Sequence, residues 1–110
     1  MKNKNFWFQE DMISLQLDSL MSRKVLAHSE HMMAVELTMK KGGVAKLHQH
    51  VHEQMTYVVE GVFEFDVNGI KKIVKVGDAL YMEPDVIHGM RCVESGKLVD
   101  IFTPRRDDLL

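Results

Sequence analysis

The sequence predicts an all-β domain, an antiparallel sandwich or barrel. Short apolar–polar alternations recur, with turn residues every eight to twelve positions and no long helix between them. At 110 residues, the chain has room for one domain and a single core. A barrel of about eight strands leaves space inside for one small ligand.

Residues 1–22 form an N-terminal segment that periodicity leaves undecided. Ile13, Leu15 and Leu17 alternate as in a strand, yet Ile13, Leu17, Leu20 and Met21 also share one helix face. Phe6, Trp7 and Phe8 are expected as core or interface anchors. Residues 23–110 are expected to form the domain proper, and from Lys24 onward the pattern is β. Met33, Val35, Leu37 and Met39 alternate with Ala34, Glu36, Thr38 and Lys40, a half-buried strand ended by Lys41-Gly42-Gly43. Met55–Glu60 is a second strand, and Gly61 a bend. Phe63, Phe65 and Val67 then lead into Asn68-Gly69, whose residues both tolerate the positive φ of a type I′ hairpin turn. Lys71–Val76 returns from that turn, Gly77-Asp78 turns again, and the short Ala79–Met82 stops at Pro84. Ile87–Val93, a turn at Glu94-Ser95-Gly96 and a last strand over Lys97–Thr103 complete the series, which Pro104 closes.

Composition narrows the function classes. Hydrophobic residues at 45% and charged ones at 27% are ordinary for a soluble globular chain. A net charge of −2, with no basic cluster larger than Lys71-Lys72 or Arg105-Arg106, argues against a nucleic-acid partner. The lone Cys92 cannot form an internal disulfide, which fits a reducing compartment. No apolar run suits a signal peptide or a membrane span, so a cytoplasmic protein without a membrane partner is expected.

The chemistry concentrates in Gly42–Gly61. Three of the six histidines stand at alternate positions, His48, His50 and His52, before a β run. Imidazole is the commonest metal ligand near neutral pH. Two histidines at i and i+2 on a strand share a face about 6.6 Å apart, close enough to reach one ion at about 2.1 Å. A straight strand from 48 to 54 would span about 20 Å, too far for one ion, so the chain must turn within Val51–Glu53. His48 and His50 then come from one strand and a third ligand from the next. Gln54 or Glu53 is placed to serve, and His52 could swing either way.

This stretch resembles the first motif of the cupin superfamily, G-x5-H-x-H-x3,4-E-x6-G, with Gly42, His48, His50, position 54 and Gly61 on its spacing. Gln54 stands where most members carry Glu, which would leave a bound ion its full charge and make it a stronger Lewis acid. Gly77 and His88 fall on the spacing of the second motif, G-x5-P-x-G-x2-H-x3-N, although Glu83, Asp85 and Cys92 depart from its identities. The resemblance implies a single-domain antiparallel jelly-roll barrel. It also makes His88 a ligand from a distant strand. His28 and His31 lie outside both motifs and are expected in solvent.

On the last strand, Leu98, Asp100 and Phe102 share one face, and Val99, Ile101 and Thr103 the other. A carboxylate inside an apolar barrel is costly unless paired or used, so the pattern alone favours Val99 and Ile101 inside and Asp100 in water. From about Arg23 onward, however, the chain resembles the small cupins of pectin degradation that linearise 4,5-unsaturated uronates. The specific matches are His48-x-His50-x-His52-x-Gln54, His88-Gly89 and Asp100-x-Phe102-x-Pro104-x-Arg106.

That resemblance implies one divalent transition metal ion (nickel, zinc, cobalt, manganese or iron) on His48, His50, Gln54 and His88. It implies Asp100 as general acid/base, Arg106 as a clamp on the substrate carboxylate and Phe102 against the sugar ring. The implied partner is a small sugar acid from pectin or alginate, and the implied assembly a homodimer, with Trp7 and the nine methionines as candidate contacts. A non-catalytic metal- or sugar-binding cupin and an iron-dependent dioxygenase remain as alternatives.

Overall fold

Alternating side chains build eight strands in the computed structural model, which describes residues 4–110. They are β1 (Ser14–Asp18), β2 (Met21–His28), β3 (Met33–Met39), β4 (Val44–His48), β5 (Glu53–Val67), β6 (Ile70–Lys75), β7 (Ala79–Met82) and β8 (His88–Thr103). Two short 3₁₀ turns, Gln9–Asp11 and Asp107–Leu109, flank them. Every pairing is antiparallel. The fold is all-β, as the alternations predicted.

The long strands β5 and β8 form the spine, paired from Glu53↔Thr103 to Val67↔His88. Each changes its second neighbour halfway along. β8 pairs with β4 near His88–Arg91 and with β3 over Gly96–Phe102, whereas β5 pairs with β7 over Gln54–Tyr57 and with β6 over Val62–Val67. One leaf is therefore β1-β2-β3-β8-β5-β7 and the other β4-β8-β5-β6. The leaves close over a shared core of Leu37, Met39, Val58, Phe63, Phe65, Cys92 and Leu98. A second cluster, Met33, Val35 and Phe102, sits beside it with Val25 and Leu109 packed on it.

The crease between the leaves lies where Gly61 meets Gly96. A straight strand from His88 to Phe102 would be about 46 Å long, more than the 43 Å longest extent of the molecule. Yet both rings lie against His50, with centroids at 5.0 and 5.7 Å. The strand must double back. Register shifts in β5 between Val58 and Phe63 accommodate the fold. A Cβ on Gly96 would stand 2.0 Å from the Glu60 carbonyl oxygen, and one on Gly61 2.6 Å from that of Glu94. Glu94-Ser95-Gly96 is thus a corner, but not the strand break expected from its turn residues, because pairing with β5 continues through it.

Near the amino terminus the ambiguity resolves to strand. β1 pairs with β2, and the hairpin between them is closed by Asp18 Oδ1, which accepts from the Leu20 N–H at 2.8 Å. Phe6 and Phe8 are exposed rather than core, while Trp7 is half-buried against the His28 ring at 4.6 Å. His28 is accordingly half-buried, not solvated as expected; His31 is exposed. Asn68 and Gly69 take φ of 52° and 82°, as the hairpin prediction requires.

Gly96→Ala should destabilise the protein by about 3 kcal/mol in urea unfolding, because the new methyl meets backbone that cannot move aside. Gly69→Ala, with nothing within 4 Å of its Cβ, should lose only about 1 kcal/mol from its positive φ. Equal losses would show that the crease is not close-packed.

Candidate metal centre and active-site cavity

Cross-strand register brings the predicted imidazoles together. His48 near the end of β4 stands directly opposite His88 at the start of β8, and their ring centroids are 4.4 Å apart. Gly89 allows that approach, since a Cβ there would lie 2.8 Å from the Ala45 carbonyl oxygen. His50 follows in the turn between β4 and β5. The backbone N–H of Asp85 donates to the His50 carbonyl at 2.8 Å, which ties the β7–β8 loop to it. Asp85 adopts φ 66°, a left-handed conformation that Asp tolerates better than most residues. One ligand-capable atom from each of His48, His50 and His88 falls within 4.8 Å of the others.

Each of these rings is oriented by a backbone carbonyl. Nδ1 of His48 donates to Lys46 O at 2.7 Å, Nδ1 of His50 to His52 O at 2.9 Å, and Nδ1 of His88 to Val86 O at 3.0 Å. A carbonyl only accepts, so the proton sits on Nδ1 and Nε2 keeps its lone pair. Nε2 of His88 is buried and has no hydrogen-bond partner. Burial also lowers the pKa of His50, with help from the Arg106 charge, and burial lowers that of His88. Both rings are therefore neutral and available as donors near pH 7.

Gln54 exposes the need for a cation most directly. Its Oε1 lies 3.0 Å from Nε2 of His50, while its Nε2 donates to Thr56 Oγ1 at 3.0 Å and Asp100 Oδ1 at 3.2 Å. Thr56 in turn donates to Asp100 Oδ1 at 2.6 Å. The amide cannot flip without losing these contacts. With His50 Nδ1 spent on a carbonyl, two acceptors, imidazole Nε2 and amide oxygen, face each other. A cation bound by both removes the conflict, and about 3 Å separates adjacent ligand atoms that each sit about 2.1 Å from one ion. Three imidazoles and one amide oxygen thus fit a divalent transition metal.

Neither other candidate joins this group. His52 contributes its carbonyl to His50 rather than its ring to the cluster, and its buried Nδ1 is unpartnered. Glu53 is exposed, accepting from the hydroxyls of Tyr81 and Thr103.

Asp100 points inward, against the expectation from pattern alone: Leu98 and Phe102 on its face are buried, and Ile101 is 38% exposed. The reason lies in the partner strand. Asp100 stands opposite Thr56 and Phe102 opposite Gln54, so the carboxyl meets polar groups already facing inward. Burial raises the Asp100 pKa to about 6, against the downward pull of the Thr56 and Gln54 hydrogen bonds and the Arg106 charge. Arg106 lies 5.1 Å over the Phe102 ring and is held by Asp108 at 2.7 Å.

His48, His88, Gln54, Asp100, Phe102 and Arg106 all line one cavity of about 220 Å³, sized for a small sugar. Sequence reasoning missed Thr56 and Arg23, which also lines the cavity. Thr56 is two residues beyond Gln54 and therefore on its face; Arg23 alternates with Met21 and Val25, both packed toward the core.

A profile of the cupin domain family matches residues 35–102. The pectin degradation protein KdgF of Dickeya dadantii is 36% identical over 97 residues, 86% of this chain and 88% of that protein. Among solved structures, KdgF from a Halomonas species superposes with a TM-score of 0.92 at 34% identity, covering 98% of this chain and all of the other. An RmlC-like cupin from Shewanella frigidimarina gives 0.93 at 34% identity, over 98% of this chain and 97% of that one. No helix among the described residues is long and apolar enough to cross a membrane.

The raised Asp100 pKa has a measurable cost. Between pH 3.8 and about 6 the folded protein keeps a proton that the unfolded chain releases, so stability falls as pH rises through that window and is level above it. At about 1.4 kcal/mol per pKa unit, the penalty at neutral pH is at most about 3 kcal/mol. Metal-free Asp100→Asn should therefore be about 1–3 kcal/mol more stable than wild type at pH 7.5. The difference should vanish below pH ~4. A pH-independent difference in urea unfolding would refute this.

Proposed function

We propose that this chain, which belongs to the cupin domain family, is a metal-dependent enzyme acting on sugar acids. Its substrates are 4,5-unsaturated uronate monosaccharides from pectin or alginate breakdown, and its products their linear keto forms. The observation that carries this reading is the joint geometry of the cavity: convergent imidazole lone pairs and an amide oxygen, with an enclosed carboxyl hydrogen-bonded to that amide. The relationship to KdgF supports the substrate class.

His48, His50, Gln54 and His88 would hold one divalent ion, which when bound polarises substrate oxygens as a Lewis acid. The remaining work belongs to side chains. Linearisation takes the proton from the anomeric hydroxyl, breaks the bond between the anomeric carbon and the ring oxygen, and leaves an aldehyde and an enolate. The enolate then gains a proton on the neighbouring carbon and becomes a ketone. No atoms are added or lost. Asp100, with a pKa of about 6, can take the first proton and return one in the second step, because neither of its forms is strongly favoured near neutral pH. Thr56 and Gln54 fix the carboxyl through Oδ1. Phe102 offers an apolar wall to the sugar ring, and Arg106 above it a guanidinium for the carboxylate.

Metal-reconstituted protein should accelerate the loss of ultraviolet absorbance of the conjugated uronate; no acceleration over the spontaneous reaction would overturn the proposal. Asp100→Asn should lower kcat by about a hundredfold or more while retaining the metal. An Asp100→Asn variant identical to wild type would instead favour a binding protein without catalysis. His88→Ala should fail to retain metal by elemental analysis.

A further inference from the structure

Arg23 occupies a row of the inner wall whose other members are all apolar. Register partners run Leu15–Arg23–Leu37–Leu98–Val58 across β1, β2, β3, β8 and β5, and the last three are buried. Among the described residues, the Arg23 side chain makes no ion pair and no hydrogen bond. A guanidinium cannot deprotonate to relieve burial, and placing one against apolar walls without a counter-charge is costly. Arg23 is half-buried and is one of the residues that line the cavity.

Arg106 is differently placed. Asp108 engages its Nε at 3.3 Å and one terminal nitrogen at 2.7 Å, which takes up one of the two edges a guanidinium can offer to a carboxylate. The next row of the wall is Val25–Val35–Asp100–Thr56, which sets Arg23 two strands and one row from Asp100. That separation is about 12 Å between Cα atoms. Arg23 and Asp100 form no ion pair across it, and both line the same cavity.

We propose that Arg23 is an anion anchor of this cavity: its guanidinium binds the carboxylate of a sugar acid alongside Arg106 and makes the site select acids over neutral sugars. The proposal rests on the sugar-acid function above and names the residue that reads the acid. A planar fork of donors suits a carboxylate, whereas the hydroxyls of a neutral sugar gain less from the charge.

Galacturonate and galactose, which share a ring and differ in the acid, separate these roles in calorimetric titrations of zinc-reconstituted protein. Wild type should bind galacturonate more tightly than galactose. Arg23→Gln should weaken galacturonate about tenfold or more and leave galactose within about twofold. Arg23→Lys, which keeps the charge but not the fork, should recover part of the loss. With the unsaturated uronate, KM should rise in parallel and kcat stay within about threefold. The metal-free Arg23→Gln protein should melt no lower than wild type, since no internal partner is lost.

Unchanged galacturonate binding in Arg23→Gln would overturn the proposal, as would equal loss of both sugars or a wild type that binds neither. If Arg23→Gln selectively loses galacturonate but no variant turns over the unsaturated uronate, the anchor stands and the proposed reaction falls.

Discussion

Each of three imidazoles gives its one proton to a main-chain carbonyl, and that constraint organises the site. The carbonyls belong to Lys46 in β4, His52 in the β4–β5 turn and Val86 in the β7–β8 loop, each two residues from the ring it orients. Local backbone shape therefore decides which nitrogen of each ring carries a lone pair. Long-range pairing of β4 with β8 then decides only where the lone pairs meet. Because the first task is local, the donors are oriented whether or not a ligand is present, and little ordering cost remains for binding.

Asp100 shows a balance of a different kind. Burial alone would hold its carboxyl protonated, while Thr56, Gln54 and Arg106 pull the other way. The outcome near 6 depends on both. Gln54 takes part in this balance and in the donor set at once, with its oxygen toward His50 and its nitrogen toward Asp100. A glutamate at position 54 could not donate to Asp100 and would place a second negative charge beside it. Glutamine at this position thus lets a carboxyl and a cation site share one wall.

Much of this was legible in the sequence, for identifiable reasons. The pair His48-x-His50 reads as neighbouring ligands, although β4 ends at His48 and His50 lies in the turn rather than on the same strand as expected, and Asn68-Gly69 reads because positive φ is chemically restricted. The family spacing then located His88 on a strand that no local pattern could connect to His48. Asp100 was harder. Alternation says which residues share a face but not which face turns inward, and here the answer lay forty-four residues away in the hydroxyl of Thr56. Arg23 was missed because an arginine in an otherwise apolar alternation looks like a surface residue until its cross-strand neighbours are known. The corner at Glu94-Ser95-Gly96 was seen, but not that two strands fold there together, since that depends on glycines facing each other across a ladder.

That paired corner also gives the molecule a mechanical character. His88 lies on one arm of β8 and Asp100 and Phe102 on the other, with the joint between them; β5 has its joint at the same place and carries Gln54 on one arm and Phe65 on the other. The two halves behave like the covers of a book bound along a single spine. One angle, between the covers, sets the width of the gap in which His48 and His88 face Gln54, Asp100 and Phe102.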